Sequence, residues 1–193
     1  MEEKSEVILV EDFIGRETCD FLSDYAKKAY TDGSMMISGS DNEDYRSELL
    51  FNPRDILLLY KIVNSPVTPL YRSCGRKVIE FLQSPKVIYD YEHYINYYPV
   101  GGYIVPHIDN EDMPEANLTS VVYLNNSEEY EGGEIYFPSL DLEFKPSKGS
   151  VLLFPPEYVH GVRKITKGVK LSMSINYTDN PEQKLDPRGG NVY

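Results

Sequence analysis

From Lys86 onward the chain becomes a succession of short segments in which Val, Ile, Leu, Tyr and Phe recur at alternate positions. Strand candidates are residues 87–98, 103–107, 118–124, 134–137, 142–145, 150–154, 158–162 and 169–177. Turn signals separate them: Gly101-Gly102, Asn125-Asn126, Gly132-Gly133, Ser147 to Gly149, Pro155-Pro156 and Lys167-Gly168. Alternation with frequent turns builds half-buried strands that must close on one another to bury their apolar sides. The first half reads differently. Val7 to Val10 is a short strand, and Phe21, Leu22, Tyr25 and Ala29 then recur at helical spacing. Helices first and many short strands afterwards predict an α+β, mainly β architecture: a jelly roll buttressed by N-terminal helices.

Within the first half, Thr31 to Asp44 is polar and reads as a loop. Pro53 is expected to open a second helix, with Ile56, Leu57, Leu59, Tyr60 and Val63 as its apolar face. A third helix is expected to end near Gln83. The predicted organisation is one domain over residues 1–193, with helical support in 1–85, a jelly-roll core in 86–178 and a C-terminal tail in 179–193. A single core suits 193 residues. Residues 31–50 are either a substrate lid or a segment without a function.

Charge limits the partners. The net charge is −12, and no Lys or Arg occurs from Val87 through Phe144, a stretch that holds Asp90, Asp109, Glu128, Glu131 and Glu134 among other acids. A nucleic-acid backbone needs cations to displace its counterions, so such a partner is not expected. A cationic or neutral substrate would be favoured by steering; a solvated acidic face that aids solubility explains the same composition. The start M-E-E-K-S-E has no signal-peptide pattern and no apolar run reaches membrane-spanning length. Two cysteines, Cys19 and Cys74, make no disulfide framework. The expected location is therefore cytoplasmic, with no membrane association.

Residues 98–110 read Y-P-V-G-G-Y-I-V-P-H-I-D-N. In a strand, His107 and Asp109 point to the same face and can ligate one ion. Fifty-one residues beyond Asp109 lies His160, after the apolar run Val151 to Phe154 and a Pro-Pro corner. Two histidines and one carboxylate are the facial donor set of non-haem iron(II) oxygenases. Ten residues farther on, Lys170 lies on a predicted strand, where a buried ammonium would need an anionic partner. Ser172 and Ser174 share its face. Each feature alone has a plainer reading: a surface His-Asp pair, a structural histidine, an exposed strand lysine.

The segment from about Val87 to Tyr177 resembles the 2-oxoglutarate/iron(II)-dependent dioxygenases, in particular their prolyl 4-hydroxylase-like branch. The matching pieces are Y-P-V-G-G-Y-I-V-P-H-I-D, V-V-Y-L-N, E-G-G-E-I-Y-F-P and F-P-P-E-Y-V-H-G-V-R-K-I-T-K-G-V-K-L-S. The resemblance implies a double-stranded β-helix of jelly-roll type. It implies His107, Asp109 and His160 as catalytic iron ligands, and Lys170 as the anchor of the far carboxylate of 2-oxoglutarate. Tyr98 and Tyr123 match positions that line the co-substrate pocket, and Ser174 is a further candidate there. Lys164-Ile165 replaces the usual Pro-Val after the second histidine, which leaves the subfamily open. Iron(II), 2-oxoglutarate and dioxygen are the implied cofactors and co-substrates, with ascorbate as an optional reductant.

Tyr94 and Asn96 share alternation with Tyr98, so they either line the substrate pocket or pack within the sheet; His93 should face the opposite layer. The resemblance implies hydroxylation of a C–H bond, with a peptidyl proline in a basic or proline-rich peptide as the favoured substrate. A free amino acid or other small molecule is the alternative. A cupin-like metal-binding module without catalysis is the second class, and Lys170 discriminates, because plain metal binding needs no carboxylate anchor. The oligomeric state has no signature in the sequence.

Overall fold

The computed structural model describes residues 7–37, 57–59, 67–111 and 114–183. A large antiparallel sheet organises them. Its strand order is β1-β10-β6-β13-β4-β3-β2, with β1 at Ile8–Val10, β2 at Met36–Ile37, β3 at Leu57–Leu59, β4 at Tyr89–Tyr98, β6 at Leu118–Tyr123, β10 at Val151–Phe154 and β13 at Lys170–Thr178. A smaller sheet runs β5-β11-β8-β9, from Ile104–His107, His160–Val162, Ile135–Phe137 and Leu142–Phe144 respectively. A third pair joins β7 (Tyr130–Glu131) to β12 (Lys167–Gly168). The two larger sheets form the sandwich of a double-stranded β-helix.

Helices α1 (Arg16–Thr31) and α2 (Thr68–Leu82) cover the outer face of the large sheet. Pro69 suits the first turn of α2, where its missing N–H would have had no intrahelical acceptor. The helix ends where Gln83 turns left-handed. Leu22, Ala26, Val78 and Tyr71 meet Ile95, Tyr97, Leu171, Met173 and Ile175 in the main apolar core. These sheet residues are the odd-numbered positions of β4 and β13. The even-numbered ones, Asn96, Tyr98, Lys170, Ser172, Ser174 and Asn176, face the interior of the sandwich. One long register makes this division: Lys170 pairs with Tyr98, Ser172 with Asn96 and Ser174 with Tyr94.

Two expectations are corrected. Leu57 to Leu59 are strand, not helix, because they pair with Tyr97, Asn96 and Ile95 at the edge of β4. Tertiary pairing there overrides the helical spacing of the apolar residues. Lys167-Gly168, read as a turn, is a two-residue strand against Glu131 and Tyr130. Of the expected 31–44 loop, Thr31 closes α1 and Met36–Ile37 pair with Leu57–Leu58. Residues 38–50, the remainder of the expected helix at 53–56 and 60–63, and the tail beyond Gln183 lie outside the described residues. Among the described residues no helix is long and apolar enough to cross a membrane.

Candidate metal centre and anion pocket

His107 is the last residue of β5, and Asp109 opens the short 3-10 turn Asp109–Glu111. The strand ends between them, so a turn rather than the expected strand alternation directs Asp109. The backbone N–H of Asp109 donates to the Pro156 carbonyl at 2.8 Å. The Pro155-Pro156 corner that stops β10 therefore also fixes the carboxylate's position. Beyond the corner β11 resumes, and His160 pairs directly with His107. Its ring packs on Phe154 and Phe137, at centroid distances of 4.6 and 5.8 Å.

One ligating atom each of His107, Asp109 and His160 falls within 4.8 Å of the others. Asp109 Oδ1 lies 3.3 Å from His107 Nε2 and 3.7 Å from His160 Nε2. Both imidazoles are oriented the same way. His107 Nδ1 lies 3.0 Å from the Val105 carbonyl, and His160 Nδ1 lies 2.8 Å from the Tyr158 carbonyl. A carbonyl only accepts, so each Nδ1 carries a proton, and each Nε2 is turned towards Asp109. Burial lowers the pKa of His160 and outweighs the attraction of Asp109, which keeps the ring neutral. Burial alone would raise the pKa of Asp109; its hydrogen bond with His107 and its nearness to both imidazoles bring it below the ordinary carboxylate value. Two imidazoles turned to one carboxylate suit a divalent first-row metal.

The second part of the site surrounds Lys170, which is 1% exposed. Nζ donates to the Gly133 carbonyl at 2.9 Å. The rings of Tyr98 and Tyr123 flank it, at 5.1 and 5.3 Å from Nζ to the centroids. Desolvation lowers the Lys170 pKa to about 7, against the opposing pull of Glu134. Gly132 and Gly133 make this arrangement feasible. Both have φ near +75°, and a Cβ at Gly132 would stand 2.0 Å from the Lys164 carbonyl oxygen. Among the described residues, the Tyr123 and Tyr130 phenols and the Ser172 hydroxyl are buried without a hydrogen-bond partner. Such groups cost free energy unless a ligand or water satisfies them. A buried ammonium among unpartnered hydroxyls fits an incoming carboxylate.

The remaining candidates are distributed as follows. Ser174 accepts a hydrogen bond from Asn96 Nδ2 at 2.8 Å, so Ser172 carries the unpartnered hydroxyl on that face. Tyr94 is half-buried. His93 lies on the helix side, 3.0 Å from Asp90 through Nε2, as its opposite alternation requires. Sequence reasoning missed three neighbours of the site. Asn125, taken as a turn residue, donates to the Val169 carbonyl and accepts from the Leu171 N–H, each at 2.8 Å. It thereby brackets Lys170. Tyr130 enters through the unforeseen β7–β12 pairing. Thr119 lies with its hydroxyl 2.6 Å from Asp109 Oδ2. The only sequence signal for Asn125 was its place in V-V-Y-L-N.

Residues 93–178 match the sequence profile of the 2OG-Fe(II) oxygenase superfamily. This part of the chain, under half of the 193 residues, resembles that superfamily. It is similar to PKHD-type hydroxylases, with 33% identity over 86 residues to one from Prochlorococcus marinus (strain MIT 9515), covering 42% of this chain and 38% of that protein. A second, from Gluconacetobacter diazotrophicus, is 30% identical over 87 residues, covering 40% and 38%. The chain thus spans less than two fifths of these relatives' length. Among solved structures, the fold resembles a Trichoplax adhaerens prolyl hydroxylase in complex with a hypoxia-inducible-factor peptide fragment, at TM-score 0.72 and 16% identity over 91% of this chain and 84% of that one. It also resembles a collagen prolyl hydroxylase of Paramecium bursaria Chlorella virus-1 in its 2OG complex, at TM-score 0.65 and 19% identity over 92% and 98%. At these identities the structures speak for the fold: a double-stranded β-helix.

Proposed function

We propose that this protein is an iron(II)- and 2-oxoglutarate-dependent dioxygenase that hydroxylates a C–H bond, with a peptidyl proline as its substrate. The observation that carries the reading is the pairing of two unlike sites inside one sandwich: a His-Asp-His donor set and a buried lysine beside unpartnered hydroxyls. A metal module without a co-substrate would have no use for the second. The match of residues 93–178 to the 2OG-Fe(II) oxygenase profile supports the same reading.

His107, Asp109 and His160 would hold the metal through Nε2, Oδ1 and Nε2. The two backbone carbonyls that fix the Nδ1 protons keep the imidazoles oriented for it, so binding needs no ring rotation. Three protein ligands on one face leave about three octahedral positions open. Lys170 would take the distal carboxylate of 2-oxoglutarate, with the Tyr123 phenol and the Ser172 hydroxyl donating to its oxygens. Tyr98 would wall the pocket, and Ser174, Asn96 and Tyr94 would line the interior beyond it. Bound iron(II) with 2-oxoglutarate and dioxygen supplies an oxidant strong enough for an unactivated C–H bond, coupled to loss of carbon dioxide and formation of succinate. The chain's part is to fix the reactants' geometry and shelter them from water.

The proline substrate rests on likeness to prolyl hydroxylase folds. The acidic stretch of residues 87–144 suits a basic or proline-rich peptide. The test is a screen of peptides and free amino acids with iron(II), 2-oxoglutarate and oxygen, read by a mass gain of one oxygen atom. Modification of proline-containing peptides supports the full proposal. Modification of free amino acids alone would move the substrate to small molecules. Metal and 2-oxoglutarate binding without any succinate production would favour the non-catalytic module.

A further inference from the structure

Asp109 uses its two oxygens differently. Oδ1 faces the two imidazoles, while Oδ2 lies 2.6 Å from the Thr119 hydroxyl. That hydroxyl is in turn 2.9 Å from the side-chain amide of Asn176. Thr119 and Asn176 are opposite each other in the β6–β13 register. They are 3% and 2% exposed, respectively. A threonine hydroxyl has one hydrogen, and an ionised carboxylate can only accept. The hydrogen therefore goes to Asp109 Oδ2, and the Asn176 amide must turn its NH2 towards the lone pairs of Thr119. The two ends of an amide are interchangeable in shape, so the hydrogen-bond pattern decides the orientation.

We infer that Thr119, backed by Asn176, is a positioning residue for the metal centre. It holds Oδ2 so that Asp109 offers one oxygen, Oδ1, to the ion. The inference rests on the proposed metal site and deepens it. Asp109 stands outside the strand, at the first position of a short turn, where its own backbone gives less support than β5 gives His107. The relay ties its carboxylate to two central strands of the large sheet. Single-oxygen ligation also preserves the open positions that a chelating co-substrate needs.

The test uses cobalt(II) as a visible probe of the metal-free protein, with thermal melts of the same samples. Removal of a hydrogen bond that orients a ligand typically costs about 10–100-fold in metal affinity. Thr119→Val should raise the cobalt(II) dissociation constant by that factor and alter the ligand-field spectrum. Thr119→Ser, which keeps the hydroxyl, should restore both. Thr119→Ala removes the same hydroxyl without adding a methyl and should follow Val, which covers a Val variant that folds badly. Wild-type affinity and spectrum in Val or Ala, or equal loss in Ser, would overturn the inference. His107→Ala separates it from the metal reading. If His107→Ala loses cobalt(II) and the hydroxyl-less variants do not, only the relay falls; if His107→Ala binds normally, the metal site falls with it.

Discussion

The two faces of strands β4 and β13 hold buried polar groups of opposite kinds. On the helix side, His93 and Asp90 lie 3.0 Å apart and are almost wholly buried among apolar neighbours. Base and acid stand side by side there. On the interior side, Lys170 Nζ donates to the Gly133 carbonyl, and the Ser172, Tyr123 and Tyr130 hydroxyls have no hydrogen-bond partner among the described residues. The two faces of the same strands thus carry an acid–base pair and a pocket of donors. The difference shows how to read buried polarity: an acid set beside a base has its counterpart within the fold, whereas donors left facing one another imply a ligand that accepts.

The comparison breaks most readily at Lys170. Truncating one partner of a buried charge pair costs about 3–5 kcal/mol. Lys170→Ala should raise the 2-oxoglutarate dissociation constant by about two to three orders of magnitude in a titration, with metal affinity unchanged. Lys170→Arg should retain more binding than Ala but less than the native residue, because the guanidinium fork needs different room. Unchanged 2-oxoglutarate affinity in the Ala variant would leave the interior pocket, like the helix side, a matter of the fold alone.

The pH dependence sharpens the same contrast. Lys170 must be charged to attract a carboxylate, and burial lowers its pKa to about 7. Binding should be independent of pH below about 6 and weaken about tenfold per unit above 7, one proton being taken up with the ligand. Calorimetry in buffers of different ionisation enthalpy would count that proton. Lys170→Arg should flatten the profile, since its charge persists; an equally steep profile in that variant would assign the effect elsewhere.

On the helix side the expected effects fall on stability alone. A Cβ at Gly75 of α2 would stand 2.9 Å from Asp90 Oδ2. Overpacking costs about 1–3 kcal/mol, partly offset by the roughly 1 kcal/mol preference of a helix for Ala over Gly. Gly75→Ala should therefore melt at a lower temperature by about 1 kcal/mol of stability, with unchanged metal and 2-oxoglutarate affinity. A loss of co-substrate affinity would couple the two faces and dissolve the distinction.

The smallest expected effect concerns the outer charge. Exposed charges are screened beyond about 8–10 Å at ordinary ionic strength. Added salt should lower kcat/KM several-fold for a cationic peptide and leave a neutral one unaffected. Equal behaviour of the two peptides would leave solubility as the role of the acids.

The candidate site residues were legible because residue type and spacing mark them. His107, Asp109, His160 and Lys170 stand out in the chain, and alternation correctly put Lys170, Ser172 and Ser174 on one face and His93 on the other. What depended on pairing between distant segments was not legible. Leu57–Leu59 read as helix until β4 supplied an edge. Tyr130 reached the pocket through a two-residue strand hidden under a Lys-Gly turn signal. Thr119 and Asn125 act through the β6–β13 register and the chain around Lys170, and no local pattern marks a threonine or an asparagine for either task.

The central claim is that one interior holds iron(II) and 2-oxoglutarate together. Anaerobic titration of the protein with both tests it directly, by the weak visible charge-transfer absorption of an iron(II)–2-oxoglutarate chelate. The account predicts a band that needs both components, is lost in His160→Ala, and requires far more 2-oxoglutarate in Lys170→Ala. No band in the native protein, or full intensity in His160→Ala, would contradict it.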